Sequence, residues 1–311
     1  MDEASIRTLI ELNRRFYERH ASSFSATREN GWPGWRKVME LAHGSGVRNA
    51  RPLRILDAAC GNLRFERFLV REQPGIPLDA LCIDSNEELM RAGAQALEGN
   101  ARERAHPPAG GTHRKARPPE GDTQQRVRTL DLDILETLLA GGKLPVPNSS
   151  FDLVACFGFL HHVPGEGPRR TLLRALVRTT RPGGIIALSF WQFMNDERLQ
   201  AKVIRADAQA AAMRAPVSTP LPGTPAPGTA THLDAPPTPF HEGVTMPALE
   251  PGDHYLGWQG DTQVLRYCHH FSEEEIGALA RAVAPEAREV ARFSADGKTG
   301  ALNRYLVLEK R

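Results

Sequence analysis

Residues 53–69, LRILDAACGNLRFERFL, decide the fold. An apolar run, Leu53–Leu56, ends on an acid, Asp57. The small residues Ala58, Ala59, Cys60 and Gly61 follow as a tight turn, and Phe65, Phe68 and Leu69 then recur at helical spacing from about Asn62. A strand, a small-residue turn and a helix N-terminus let a ligand come close to backbone N–H groups. Twenty-seven residues beyond Asp57 a second apolar run, LDALCIDSNEELM (78–90), ends on a second acid, Asp84, followed by Ser85. An acid at the end of the second strand of a βαβ unit is placed to accept hydrogen bonds from two vicinal ribose hydroxyls. Together the two features point to a nucleoside-containing cofactor.

The turn limits which cofactor. The glycine spacing G-x-G-x-x-G of dinucleotide sites is missing, and no G-x-x-x-x-G-K-[ST] phosphate loop occurs in the chain. The run from Asp57 to Leu63 resembles instead the first motif, D-x-G-x-G-x-G, of class I S-adenosylmethionine (SAM) methyltransferases. It departs from that motif at Ala59 and Leu63, where glycines are expected. Alanine fits if its φ is negative, and Leu63 fits if it lies in the first helical turn.

Composition sets outer bounds. The chain has 311 residues, 41% of them hydrophobic, enough for one large core or two modest ones. A net charge of +2 gives no argument for nucleic acid from charge alone. The first residues, MDEASIRTLIELNRRF, carry neither a signal-peptide apolar region nor a membrane-length run, so a cytoplasmic protein without membrane contact is expected. Cys60, Cys82, Cys156 and Cys268 are scattered without C-x-x-C spacing, which predicts no disulfide framework and no metal site.

Along the chain, residues 4–20 are amphipathic. The stretch after Tyr17, with Phe24, Arg28, Trp32 and Trp35, concentrates aromatics around one arginine. Residues 1–50 are expected to form a helical cap or a lid, with Arg28 or Tyr17 near a carboxylate of the cofactor. A helix over about 86–97 follows the second strand. Residues 99–126 read as a disordered insertion, with seven Lys/Arg against three Asp/Glu from Gly99 to Arg128. The third strand, Val127–Leu132, leads to Asp133, a candidate acceptor for the adenine amine, with Asp131 as the alternative. The fourth, FDLVAC, is apolar throughout, as a strand buried on both faces should be, and brings Cys156, Phe157, His161 and His162 to the ligand-binding end of the sheet. Residues about 215–248, rich in Pro, Ala, Thr and Gly, read as a second disordered insertion within a single domain spanning 1–311. After a helix over about 272–283, capped by Ser272 and Glu275, the strands REVARF and RYLVLEK are expected to pair as an antiparallel hairpin.

LDAACGN, CIDSNEELM, FDLVACFGFLHHV and RPGG make the chain resemble the class I SAM-dependent methyltransferases. The resemblance implies a Rossmann-like mixed sheet of seven strands, five parallel plus the hairpin, with helices on both faces. FYERHASSFSATRENGWPGW and HYLGWQGDTQVLRYCHHFSEEEI are further similar to the flanking signatures of the tRNA wobble-uridine carboxymethyl methyltransferases. That similarity implies SAM as cofactor and tRNA, or a related carboxylate, as methyl acceptor, together with a possible small partner protein. Asp57, Ala59, Cys60, Gly61, Asp84 and Ser85 are the cofactor candidates on the first two strands, joined by Asp131, Asp133, Cys156, Phe157 and Arg28. Tyr17, Trp32, Arg266, Tyr267 and His269 are candidates for holding the acceptor, with His270 beside them. If the acceptor is a hydroxyl or amine, His161 or His162 is the candidate base, and adjacent histidines on an extended segment should face opposite ways, so that one reaches the site. Two other readings stand beside these: a small-molecule acceptor, and a non-catalytic binding protein, which the changes at Ala59 and Leu63 motivate.

Overall fold

The computed structural model describes residues 1–27, 30–45, 52–73, 75–105, 125–214, 246–259 and 261–311. Arg28 and residues 215–245 of the second expected insertion lie outside them. In chain order the elements are α1 (Glu3–Ala26), α2 (Pro33–Gly44), β1 (Leu53–Ala58), α3 (Arg64–Glu72), β2 (Leu78–Asp84) and α4 (Glu87–Ala105). Then come β3 (Gln125–Asp131), α5 (Ile134–Leu139), β4 (Phe151–Cys156), α6 (Glu166–Thr179), β5 (Thr180–Trp191) and α7 (Glu197–Arg214). The chain closes with β6 (Asp253–Trp258), β7 (Asp261–His269), α8 (Glu273–Ala282), β8 (Ala287–Ala295) and β9 (Asn303–Lys310).

Seven strands form one sheet in the order β3-β2-β1-β4-β5-β9-β8. The first five are parallel, and β9 runs antiparallel to β5 and β8. This is the expected architecture of the class I methyltransferase fold. Side chains alternate along each strand. Ile55, Leu153, Ala155 and Ile185 therefore pack into one core, with residues of α2 and α3. Leu56, Val154, Cys156 and Ile186 pack into the other, with residues of α5, α6 and α8. All six residues of β4 are buried, as a central strand covered on both faces requires.

One boundary differs from the sequence expectation. Residues 99–105 continue α4 instead of starting an insertion, because ARERA is built of strong helix formers. Helix α7 ends at Arg214, where the second expected insertion begins.

The cap over the sheet is assembled from distant parts of the chain. Leu9 and Leu12 of α1 meet Ala206 and Ala210 of α7, Tyr255 of β6, and Leu265 and Tyr267 of β7. Each buried leucine contributes about 2 kcal/mol. The paired strands β6 and β7 form a separate two-stranded sheet that leans on α1 and carries Arg266 over the large sheet.

Candidate functional site

A cavity of about 490 Å³ lies across the carboxyl ends of the parallel strands. Its floor is made by the ends of β1, β2 and β4, and α1, α2 and Arg266 of β7 roof it. The chain order reverses between β1 and β4, which is where open α/β sheets leave a crevice.

The turn after β1 is more strained than expected. Ala59 has φ of 61°, Gly61 54° and Leu63 53°. Ala59 is thus not in the negative-φ conformation, and Leu63 precedes α3 instead of sitting in its first turn. A left-handed non-glycine residue costs about 1–2 kcal/mol. At Leu63 the cost is offset, because its side chain is fully buried, worth about 2 kcal/mol. Ala59 has no such offset, and strain of this kind persists where surrounding contacts over-determine the backbone. Cys60 N–H donates to Ile83 O (3.1 Å) and Leu63 N–H to Cys60 O (3.2 Å). Gly61 N–H donates to Asp84 Oδ2 at 2.8 Å, tying the turn to β2.

Asp84 Oδ1 accepts from Asn86 N at 2.9 Å. Each carboxylate oxygen keeps a further lone pair, so Asp84 retains capacity for two ribose hydroxyls. Burial raises its pKa, and backbone N–H groups of Asn86, Gly61 and Ser85 oppose the rise. Asp133 lines the cavity and caps α5 by accepting from Glu136 N at 2.9 Å. Asp131 is exposed and outside the cavity wall, because its alternation along β3 turns it away. Cys156 also misses the cavity; it faces the α5–α6 core.

Below the turn lies an unexpected pair of acids. Glu66 of α3 is fully buried, and neither carboxyl oxygen has a hydrogen-bond partner at ordinary geometry. Burial pushes its pKa from 4.5 up to about 7. Burial, then the neighbouring Glu66, hold Asp57 well above the usual carboxylate range. A folded pKa above the unfolded value means that Glu66 favours folding fully below pH 4.5 and loses that contribution as pH rises through about 7. Glu66→Gln should therefore gain thermal stability relative to the wild type on going from pH 5 to pH 8. Parallel unfolding midpoints across that range would contradict a neutral, buried Glu66.

Elsewhere in the cavity wall three residues from distant segments meet. Tyr17 Oη lies 2.7 Å from His162 Nε2, and Arg266 Nη1 donates to Tyr17 Oη at 3.3 Å. His162 Nδ1 donates to Tyr267 O at 3.0 Å, which leaves Nε2 to accept the Tyr17 hydroxyl proton. Arg266 is 4% exposed and lies over the rings of Phe16, Trp191 and Trp258 at 4.8, 5.6 and 5.7 Å. Among the described residues no carboxylate lies within ion-pair distance of it. Its Nε is buried and has no hydrogen-bond partner among the described residues.

Both histidines line the cavity, contrary to the expectation that one would turn away. Leu160–His162 form a short 3-10 turn, in which neighbouring side chains do not point to opposite faces. His161, His162 and Cys268 offer ligand-type atoms within 4.8 Å of one another. His162 Nδ1 is committed to the carbonyl of Tyr267, and burial pushes the Cys268 thiol up to about 11, so the cluster is poorly suited to a cation.

Tyr267 and His269, expected to hold the acceptor, lie outside the cavity wall. Residues alternate along β7, so Arg266 faces the site and its neighbour Tyr267 does not. Tyr267 Oη donates to Asp253 Oδ1 (2.6 Å) and accepts from Arg169 (2.8 Å). His269 bridges Asp253 (2.6 Å) and Glu275 (2.9 Å). This buried network anchors the β6–β7 pair to α6 and α8. His270 Nδ1 accepts from Met194 N at 3.2 Å, and burial lowers its pKa to about 4.

The other expected residues in the cavity wall are Asp57, Ala59, Cys60, Gly61, Ser85, Phe157 and Trp32. Burial pushes the Cys60 thiol up to about 12, which makes it an inert liner. Sequence reasoning missed Arg64 and Trp191, both in the wall, and Glu66 beneath it. Arg64 left one legible signal: a cation at a helix start works against the helix dipole.

Comparison with known proteins agrees with this geometry. Residues 119–188 match the family model of a methyltransferase domain. A protein of Encephalitozoon cuniculi named as a methyltransferase is 27% identical over 177 residues, 57% of this chain and 60% of that one. The tRNA (carboxymethyluridine(34)-5-O)-methyltransferase of Arabidopsis thaliana is 21% identical over 197 residues, 60% of this chain and 35% of that one. The chain thus spans less than two thirds of the length of either curated relative. A crystal structure of a SAM-dependent methyltransferase from Methanosarcina mazei shares the fold, with a TM-score of 0.52 and 15% identity over 91% of this chain and 98% of that one. Residues 119–188 thus match a methyltransferase domain, and the chain has the fold of that SAM-dependent methyltransferase. The acids of the cavity suit a nucleoside-containing cofactor: Asp84 keeps lone pairs for ribose hydroxyls, and Asp133 lines the same cavity. Among the described residues no helix is long and apolar enough to cross a membrane.

Proposed function

We propose that this chain transfers the methyl group of S-adenosylmethionine to a carboxylate oxygen of its acceptor. The observation that carries this reading is Arg266, a buried guanidinium on the cavity wall with no carboxylate partner among the described residues. A buried cation is costly unless something pairs with it, and an anionic acceptor is the natural partner. A carboxymethyl group on a tRNA wobble uridine is the leading candidate, supported by the flanking signatures and the Arabidopsis relative.

When bound, the cofactor supplies a methyl group on a sulfonium, open to in-line displacement. Asp84 would hold its ribose, with Asp133 and Ser85 at the nucleoside end. Arg266 holds and orients the acceptor carboxylate, and Tyr17, fixed by His162, sets the position of Arg266. Trp191, Phe24 and Trp258 keep water from the acceptor end. A carboxylate is already ionised at pH 7, so no base is needed, and the work of the site is proximity and alignment.

One observation favours a second reading. The Tyr17 hydroxyl facing a neutral His162 nitrogen at 2.7 Å is the geometry of a base that could serve a hydroxyl acceptor. The pH profile separates the two. A carboxylate acceptor should give a rate nearly flat with pH around neutrality, whereas a base-assisted transfer to a hydroxyl should give a rate that rises with pH.

The direct test is titration of S-adenosylhomocysteine into the wild type and Asp84→Ala. The variant should lose about a hundredfold or more in affinity, since two hydrogen bonds to a charged acceptor disappear. Incubation with tRNA and with small carboxylic acids should then give an alkali-labile methyl ester on one of them. Binding of tRNA should fall steeply with salt. No binding of S-adenosylhomocysteine by the wild type would mark the chain as a non-catalytic relative.

A further inference from the structure

A second guanidinium, that of Arg64, stands in the cavity wall besides Arg266. Arg64 opens α3 directly after the left-handed Leu63. That kink sends Leu63 into the core and leaves Arg64 in the cavity wall. Its guanidinium lies over Trp32 at 4.6 Å and Trp35 at 5.2 Å, which holds it in place. Arg14, also in the wall, is neutralised: it pairs with Glu11 at 2.7 Å and with Glu18. Arg64 has no carboxylate within ion-pair distance among the described residues.

The acid on that side of the cavity, Asp296, is already occupied. It accepts from Gly34 N (3.0 Å), Asn303 Nδ2 (2.8 Å) and Tyr305 Oη (2.5 Å). Burial lowers the Arg64 pKa to about 10, so it stays charged at neutral pH in a place that resists charge. The partial positive charge at the start of α3 adds to that cost. Asp296 attracts Arg64 from beyond ion-pair distance, so two guanidinium groups line one cavity without a carboxylate at contact distance among the described residues, and two anions would complete them.

We infer that Arg64 takes the carboxylate of the methionine moiety of the bound cofactor, while Arg266 takes the acceptor. This rests on the reading of the cavity as a SAM site. With Asp84 and Asp133 assigned to the nucleoside, the remaining anion of the cofactor is that carboxylate. Arg64 lies on the other side of the β1 turn from Asp133, toward the β8–β9 edge that carries Asp296 and Tyr305. A guanidinium held rigidly between rings suits a planar carboxylate, because its fork is oriented before the ligand arrives.

The test uses two ligands that differ in the tail. S-adenosylhomocysteine has the carboxylate, and 5′-methylthioadenosine keeps the nucleoside and sulfur without it. Calorimetric titration of both into the wild type, Arg64→Gln, Arg64→Lys and Arg266→Gln reads the assignment. Arg64→Gln should raise the Kd of S-adenosylhomocysteine roughly ten- to a hundredfold and leave that of 5′-methylthioadenosine within about twofold. Arg64→Lys should recover part of the loss, and Arg266→Gln should change neither ligand. Equal weakening of both ligands by Arg64→Gln overturns the assignment, because it means a damaged pocket. An unchanged Kd for S-adenosylhomocysteine, or the selective loss appearing in Arg266→Gln instead, also overturns it. If the wild type binds neither ligand, the cofactor reading falls and this inference falls with it.

Discussion

Gly93→Ala is expected to cost cofactor affinity more than tenfold and to lower the unfolding midpoint by several degrees. Gly93 lies on α4, against the turn that follows β1. A Cβ at Gly93 would stand 2.4 Å from Asn62 O, 2.5 Å from Asn62 C and 2.9 Å from Leu63 Cβ. Two of those contacts are with backbone, which has no flexible end to swing away. The turn cannot yield easily either, since Ala59 and Leu63 are already left-handed and its N–H groups are tied to Ile83 and Asp84. Either α4 or the turn must therefore shift. Overpacking of this kind costs about 1–3 kcal/mol. In a chain this size each kcal/mol lowers the midpoint by roughly 2–4 °C. A shift of the turn also moves Gly61, Asn62 and Arg64, so S-adenosylhomocysteine should bind more weakly than the stability loss alone requires. Gly99→Ala, on the same helix with nothing within 4 Å, is the control and should be neutral or stabilising. Wild-type affinity in Gly93→Ala would show that the turn does not depend on this close approach.

Arg266→Ala is expected to lower kcat/KM about thirtyfold or more on any acceptor that the wild type methylates at a carboxylate. Losing a charge-assisted contact in a buried site costs about 2–5 kcal/mol, and each 1.4 kcal/mol is tenfold. The substitution also removes the group over Phe16, Trp191 and Trp258, so some stability should go with it. Affinity for S-adenosylhomocysteine is the internal check and should stay near the wild-type value. Arg266→Lys should recover only a small part of the rate, because an ammonium lacks the planar fork and packs less well against the rings. A carboxylate acceptor turned over by Arg266→Ala at the wild-type kcat/KM would remove the basis of the proposed acceptor site.

The two predictions fall on opposite sides of what could be read from sequence. The strand-turn-helix of residues 53–69 and the acid Asp84 were legible because each depends on neighbours within one turn or one strand. Apolar runs, small turn residues and an acid at a strand end constrain backbone locally. The seven-stranded sheet followed, since alternating strands and helices leave few ways to bury both faces of a parallel sheet. The backbone at Ala59 and Leu63 was not legible. Sequence favours glycine at positive φ, and only the burial of Leu63 and the space left by Gly93 show how other residues hold that conformation.

Short-range pattern in the chain specifies the sheet, the turn after β1 and the residue types available for chemistry. Tertiary structure alone decided which of those residues meet. Tyr17 and Arg266 are 249 positions apart, and Tyr17 and His162 are 145 apart, yet they form one cluster. Packing of α1 against β7 and α7 brings them together, and no local periodicity encodes that contact. Folding also turned Tyr267 and His269 into anchors of the β6–β7 pair, because their side of the strand faces acids and not the cavity. The physical division is one of range: backbone conformation follows from near neighbours, whereas a site for a second substrate is built from contacts that exist only once the core has closed.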